Sequence, residues 1–342
     1  MEFLTEYGMF LAKTLTIILG ILVVIAGVVV LASRSRDHDE GHVEIQKIND
    51  KLDNTKLEMQ SQILSRDEAK KLGKALKAKK KTEKKKGDSE AKQRVFVLNF
   101  DGDIKASAVA NLREEITAIL MVARKTDEVF VKLTSAGGMV NTYGLAASQL
   151  KRIKNKEITL TIAVDKVAAS GGYMMACVAD KIIAAPFAIL GSIGVVAQLP
   201  NFNRLLKKHD IDYEMITAGQ YKRTLTIFGE NTDEARSKFK KDIEDVHGLF
   251  KDFVSHERPV VDIEKVSTGE YWFGTRAKVL DLLDELKTSD DYLLEKYQTS
   301  DIYSVSFVEK KSLGDKVSGF LQTVSNKMFV NWYSQSRENN LS

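Results

Sequence analysis

Cysteine occurs once, as Cys177, so no intrachain disulfide supports this fold. Proline occurs three times in 342 residues while charged residues make up 29%, a balance that predicts an ordered, helix-containing protein. That length is ample for a buried core. Histidine occurs only five times: His38, His42, His209, His247 and His256. None has a motif around it, and the last three lie on predicted polar helix faces or ends, so a Ser–His–Asp site is poorly supplied. No His, Cys, Asp or Glu cluster has metal-ligand spacing and no glycine loop has a phosphate-binding pattern, so no metal and no cofactor is implied.

Positive charge is confined as well. The formal net charge is +4, yet residues 70–86 alone hold ten lysines against one glutamate. The rest of the chain is therefore slightly acidic, which excludes nucleic acid as a partner of the main body. The lysine run reads as solvated charge, or as a segment lying against anionic lipid headgroups.

Two stretches lack charge altogether. Residues 14–32 (TLTIILGILVVIAGVVVLA) are almost wholly apolar and match the roughly 30 Å hydrocarbon layer. The preceding MEFLTEYGMFLAK has two acids against one lysine, unlike the basic start of a cleaved signal. A retained single-pass anchor in membrane lipid is expected over residues 1–33. Residues 182–203 are also uncharged, but Pro186, Gly191, Gly194 and Pro200 divide them, which predicts a buried strand–turn–strand. Between these stretches, residues 34–94 read as a polar, lysine-rich helical connector. Ile45, Ile48, Leu52, Thr55 and Met59 have heptad-like spacing there, too briefly for a sustained coiled coil.

From residue 95 the pattern becomes alternating strands and helices. VFVLNF (95–100), EVFVKLT (128–134) and ITLTIAV (158–164) read as strands. Residues 106–123, 143–153 and 233–256 have the apolar spacing of helices. This predicts an α/β domain with a parallel sheet over residues 95–300, followed by a C-terminal extension over 301–342. That extension contains an amphipathic helix candidate through Val317, Phe320, Leu321, Val324 and Met328.

The chemistry centres on VAASGGYMMAC (167–177), where Ser170 precedes two glycines. Small residues around a hydroxyl can expose a nucleophile, or simply permit tight packing at a turn. Without a histidine, a lysine deprived of water is the alternative base. Lys166 and Lys181 each adjoin an aspartate, which favours their charged form. Lys222, in AGQYKRTLTIFG after an expected strand at 213–217, has uncharged neighbours on one side and ranks first by a small margin. An oxyanion would need backbone donors. The Gly171 N–H is adjacent to Ser170, and Gly137-Gly138 ends a predicted strand where a second N–H could approach.

These motifs together resemble the signal peptide peptidase A family of Ser–Lys serine proteases. Residues 167–186 followed by GSIGV (191–195) look like its nucleophile region, SAGG (135–138) stands where it has Ser-Pro-Gly-Gly, and GQYKR (219–223) matches its Gly-x-Tyr-Lys box. Gly102-Asp103-Ile104 matches its Gly-x-Ile entry strand. The resemblance spans residues 95–293 and implies a crotonase/ClpP-like fold, a spiral of β-β-α units. It implies Ser170 as nucleophile, Lys222 as general base, Gly171 and Gly138 as oxyanion donors and Ser192 as the residue orienting the lysine amine. The implied activity is a membrane-anchored endopeptidase acting on extended, signal-peptide-like or unfolded polypeptides, which could pair with residues 193–197. A homo-oligomeric ring, with the lysine free to come from a neighbouring subunit, is implied too.

Two features depart from the family pattern. Ala136 replaces the proline, and Arg223-Thr224-Leu225 follow the lysine in place of small residues. Arg34 and Arg36 after the apolar stretch favour a cytoplasmic body. The resemblance implies the periplasmic side of a bacterial inner membrane, which is preferred because charge bias is weak ahead of a large domain. The competing readings are a proteolytically silent, membrane-tethered peptide-binding scaffold and an acyl-CoA enzyme on the same fold.

Overall fold

A computed structural model describes residues 2–34, 41–65 and 92–309. The chain divides into two compact units, Met1–His42 with Val308–Ser342, and Val43–Phe307. The first unit contributes α1 (Glu2–Arg34), on which the expected anchor falls. Among the described residues, no helix is long and apolar enough to cross a membrane. The side chains described in α1 are those of 5–21 and Gly27. That stretch includes Glu6 and Lys13 and is shorter than the ~20 apolar residues a span requires. The lysine run at 70–86 and the helix candidate at 317–328 lie outside the described residues.

The second unit begins within β1 (Gly41–Lys47) and continues with α2 (Ile48–Ile63), β2 (Arg94–Gly102), α3 (Val109–Val122), β3 (Glu128–Ser135) and α4 (Val140–Lys154). Then come β4 (Thr159–Val164), β5 (Val167–Ala169), α5 (Gly171–Ala176), β6 (Lys181–Ala184) and β7 (Ile189–Gly191). The chain closes through α6 (Asn203–Lys208), α7 (Asp233–Glu257), α8 (Ile263–Val266), β8 (Tyr271–Phe273), α9 (Gly274–Val279), β9 (Glu285–Leu286), α10 (Ser289–Thr299) and β10 (Asp301–Glu309).

The central order is β1-β10-β2-β3-β4-β6-β9, and the ladders from β10 through β9 are parallel. Parallel strands are buried on both faces and so read as continuous apolar runs. β2 illustrates this: Phe96, Leu98 and Phe100 point into one core with α3, α4 and α5. Val95 and Val97 point into another with Tyr292 and Leu293 of α10. On α4, Tyr143, Ala146, Ala147, Leu150 and Ile153 are buried, the spacing of one helical face. Burying each large side chain there contributes about 1.5–3 kcal/mol. Thr232 Oγ1 accepts from the Ala235 N–H and Thr288 Oγ1 from the Asp291 N–H, fixing the starts of α7 and α10.

The sheet divides at the end of β3. Residues 128–132 pair with β4, whereas Ser135 pairs with Ala168 of β5. From there β5 pairs with β7, and β7 pairs antiparallel with β8. This split carries the β5–α5 junction away from β4 and against the loop that follows β3.

Three segments differ from the sequence expectation. The connector is not wholly a solvated spacer, since β1 forms the end of the sheet beside β10. Its polar, mostly exposed pattern is that of an edge strand, which conceals it from periodicity. Ile45 lies on that strand, so the heptad-like spacing is no helical seam. The extension expected from residue 301 begins with β10, which lies inside the sheet between β1 and β2. The strand expected at 213–217 does not form, because no described strand extends a ladder to it. Residues 182–203 do give two short strands, but β6 and β7 pair with different neighbours.

Candidate active site

Ser170 lies between β5 and α5 with φ 52° and ψ −120°. Glycine enters this region freely, whereas a serine held there stores on the order of 1–3 kcal/mol. The strain is maintained from both sides. The Ser170 N–H donates to the Gly191 carbonyl at 2.8 Å, and its own carbonyl accepts from the Met174 N–H at 3.0 Å. The Ser170 hydroxyl does not cap the helix, so it is left available for chemistry.

The loop after β3 packs directly on this serine. Gly137 has φ +88°, and a Cβ there would lie 2.7 Å from the Gly171 nitrogen and 2.8 Å from Ser170 Cβ. Only glycine satisfies both the torsion and the contact. The Gly137 N–H is committed to Ser135 Oγ at 3.0 Å. By contrast, the N–H groups of Gly138 and Gly171 have no acceptor among the described residues. Two N–H groups without an acceptor among the described residues thus lie on the two loops that meet at Ser170.

Ser192 immediately follows Gly191, whose carbonyl holds Ser170. It too has positive φ, 51°, and its N–H donates to the Glu270 carbonyl at 2.6 Å. The structure therefore brings Ser170, Gly171, Gly138 and Ser192 into one loop cluster at the ends of β3, β5 and β7. At Ser192 the backbone leaves the sheet, so residues 193–197 are not a strand.

The three candidate lysines separate. Lys181 pairs with Glu285 at 2.7 Å, which occupies its amine. Lys166 is exposed. Lys222 is exposed as well, and its backbone N–H donates to the Gly219 carbonyl at 3.1 Å in a turn. No hydrogen bond joins Lys222 to Ser170 or Ser192 among the described residues. Its segment folds back on α6 through Phe202 N–H to the Ile227 carbonyl at 2.7 Å and Asn203 Nδ2 to the Phe228 carbonyl at 2.8 Å. Along residues 196–221, which lead to this turn, Val196, Ile211, Tyr213, Ile216 and Tyr221 are exposed, Ile216 by 95%. Of the histidines, His256 meets Glu257 at 3.1 Å. His247 has its Nε2 out of water with no partner among the described residues, a departure from its expected solvated place.

Sequence reasoning missed Tyr143. Fully buried on α4, its hydroxyl lies 2.5 Å from Ser135 Oγ and donates to the Asp103 carbonyl at 2.7 Å. Its ring underlies Gly171, where an added Cβ would meet Cγ at 2.4 Å. The only signal was a tyrosine at a core position of a predicted helix, which reads as packing.

The chain resembles known peptidases along most of its length. The pattern described as Peptidase family S49 N-terminal matches residues 2–150, and that described as Peptidase family S49 matches 152–302. The chain is 51% identical over 322 residues to a Probable protease SohB of Haemophilus influenzae, covering 91% of each. It is 46% identical over 306 residues to a Probable protease SohB of Buchnera aphidicola, covering 86% of this chain and 100% of that one. A solved membrane-bound stomatin-specific protease aligns with a TM-score of 0.41 and 15% identity, over 60% of this chain and 86% of that one. The chain belongs to peptidase family S49.

Proposed function

We propose that the chain is a membrane-anchored serine endopeptidase that cleaves extended, signal-peptide-like or unfolded polypeptides through Ser170 and Lys222. Uncharged Lys222 takes the Ser170 Oγ proton as Oγ attacks the peptide carbonyl, and the Gly171 and Gly138 N–H groups receive the oxyanion. Ser192 orients the lysine amine. The lysine then returns its proton to the leaving amine, and water resolves the acyl-enzyme. The single observation that carries this reading is the strained Ser170, uncapped, beside two uncommitted N–H groups.

The assembly follows from the same reading. A lysine acts as a base only when stripped of water, and Lys222 is exposed within one chain. A second copy, in a homo-oligomeric ring, would enclose it and cover the exposed apolar side chains of residues 196–221. The division of the sheet at β3 supports the crotonase/ClpP-like description. Residues 14–32 supply the anchor in membrane lipid, with the catalytic unit on the periplasmic face of a bacterial inner membrane.

Peptide cleavage by the full-length chain tests the dyad. Ser170→Ala and Lys222→Ala should each lose several kcal/mol of transition-state stabilisation. Mixing the two inactive variants should restore part of the activity if the lysine acts between subunits. Cleavage retained in either variant alone would overturn the dyad. Tight peptide binding without cleavage by the unaltered chain would favour the scaffold reading instead.

A further inference from the structure

The two uncommitted N–H groups sit on different elements, Gly138 after β3 and Gly171 at the start of α5. Neither element holds the other by a ladder, since β3 and β5 share only the Ser135–Ala168 register. A chain of buried hydroxyls spans this gap. The Tyr143 hydroxyl has one proton and donates it to the Asp103 carbonyl at 2.7 Å. Ser135 Oγ has two acceptors within reach, the Tyr143 hydroxyl at 2.5 Å and the Gly102 carbonyl at 3.4 Å, and the shorter contact takes its proton once Tyr143 donates to Asp103. Ser135 Oγ in turn accepts from the Gly137 N–H at 3.0 Å. In this arrangement protons point from the Gly137 N–H through Ser135 and Tyr143 to the Asp103 carbonyl, and the Gly138 N–H stays outside the chain of bonds.

The other end of Tyr143 fixes the second donor. Its ring lies so close beneath Gly171 that an added Cβ would stand 2.4 Å from Cγ. A Cβ on Gly102 would meet the Tyr143 hydroxyl at 2.5 Å and Ser135 Oγ at 2.7 Å, so the hydroxyl pair also fills the space above β2. Tyr143 and Ser135 are 0% and 1% exposed, so water does not substitute for either partner. Burial raises the Tyr143 phenol above its usual range, which keeps it a neutral donor.

We propose that Tyr143 is a positioning residue for the reaction, setting Gly138 through its hydroxyl and Ser135 while its ring sets Gly171. This rests on those two N–H groups being the oxyanion donors. Tyr143→Phe keeps the ring and removes only the hydroxyl. Misaiming one donor should lower kcat about tenfold, less than the ~10²–10³ for losing a donor outright, while KM changes less than twofold.

The test measures peptide cleavage by the full-length chain as wild type, Tyr143→Phe, Ser135→Ala, the double variant and Ser170→Ala. Each single change should lower kcat similarly, and the double variant should be no worse than about twofold below either, because both break one chain of bonds. A purely structural tyrosine would lower the unfolding midpoint and leave kcat of the folded protein unchanged. If Ser170→Ala is inactive while Tyr143→Phe retains wild-type kcat, the inference is overturned and the proposed function stands. If Tyr143→Phe does not fold, Ser135→Ala decides, and an unchanged kcat overturns the inference. Cleavage by Ser170→Ala would remove the underlying reading, and the inference with it.

Discussion

A methyl group on Gly137 would come within 2.8 Å of the Ser170 Cβ and 2.7 Å of the Gly171 nitrogen. The loop after β3 and the strained serine are thus in contact through a position with no side chain. Gly137→Ala must move one of them, and it also places alanine at a φ of +88°. We expect no detectable peptide cleavage and a stability loss of roughly 2 kcal/mol, read from the denaturant midpoint. Wild-type cleavage would show that the contact has no bearing on catalysis.

Ser170 carries a backbone strain that glycine would not. Ser170→Gly should therefore abolish cleavage yet raise stability by up to about 1 kcal/mol. Chemical denaturation of both proteins checks the sign. A less stable Ser170→Gly chain would mean that the serine side chain contributes more packing than its torsion costs.

Asn49 ties the start of α2 to β10. Its Nδ2 donates to the Ser300 carbonyl at 3.0 Å and its Oδ1 accepts from the Ile302 N–H at 2.7 Å. Asn49→Ala leaves both groups buried without partners, at a cost of roughly 2–4 kcal/mol. A fragment starting at residue 91 lacks β1 and α2 and should melt below one starting at residue 41. Equal melting temperatures would contradict the place of these elements in the core.

Glu115 is 7% exposed on α3. Burial raises its carboxyl above the ordinary range, more than the hydrogen bond from the Phe307 N–H lowers it. A carboxyl whose folded pKa is raised binds its proton more tightly in the folded state, so stability falls as pH rises from about 4.3 through the folded value. Glu115→Gln removes that titration and retains an acceptor for Phe307. The variant should be more stable than wild type at pH 7, and the gain should disappear below about pH 4. A gain independent of pH would assign the effect to something other than ionisation.

Much of this was legible in the sequence because the residues concerned are exceptional locally. Buried parallel strands gave long apolar runs such as VFVLNF, and α7 begins at Asp233, where its apolar stripe placed it. Ser170 and Gly137-Gly138 stood out as small residues at turns, while Ser192 was reached only through the family resemblance. What remained hidden depends on partners distant in sequence. Asn49 and β1 look polar and solvated until β10, some 250 residues later, is beside them. Tyr143 satisfies a helical core position so well that its hydroxyl role has no sequence signature. Residues 213–217 alternate like a strand, but an alternating pattern without a neighbour makes no ladder.

The most direct measurement is peptide mapping after treatment of the full-length chain with a fluorophosphonate, which reports the nucleophile without assuming any substrate. The account predicts one adduct, on Ser170, forming at least ~100-fold more slowly in Lys222→Ala. An adduct on another residue, or a Ser170 adduct forming at the same rate without Lys222, would contradict it.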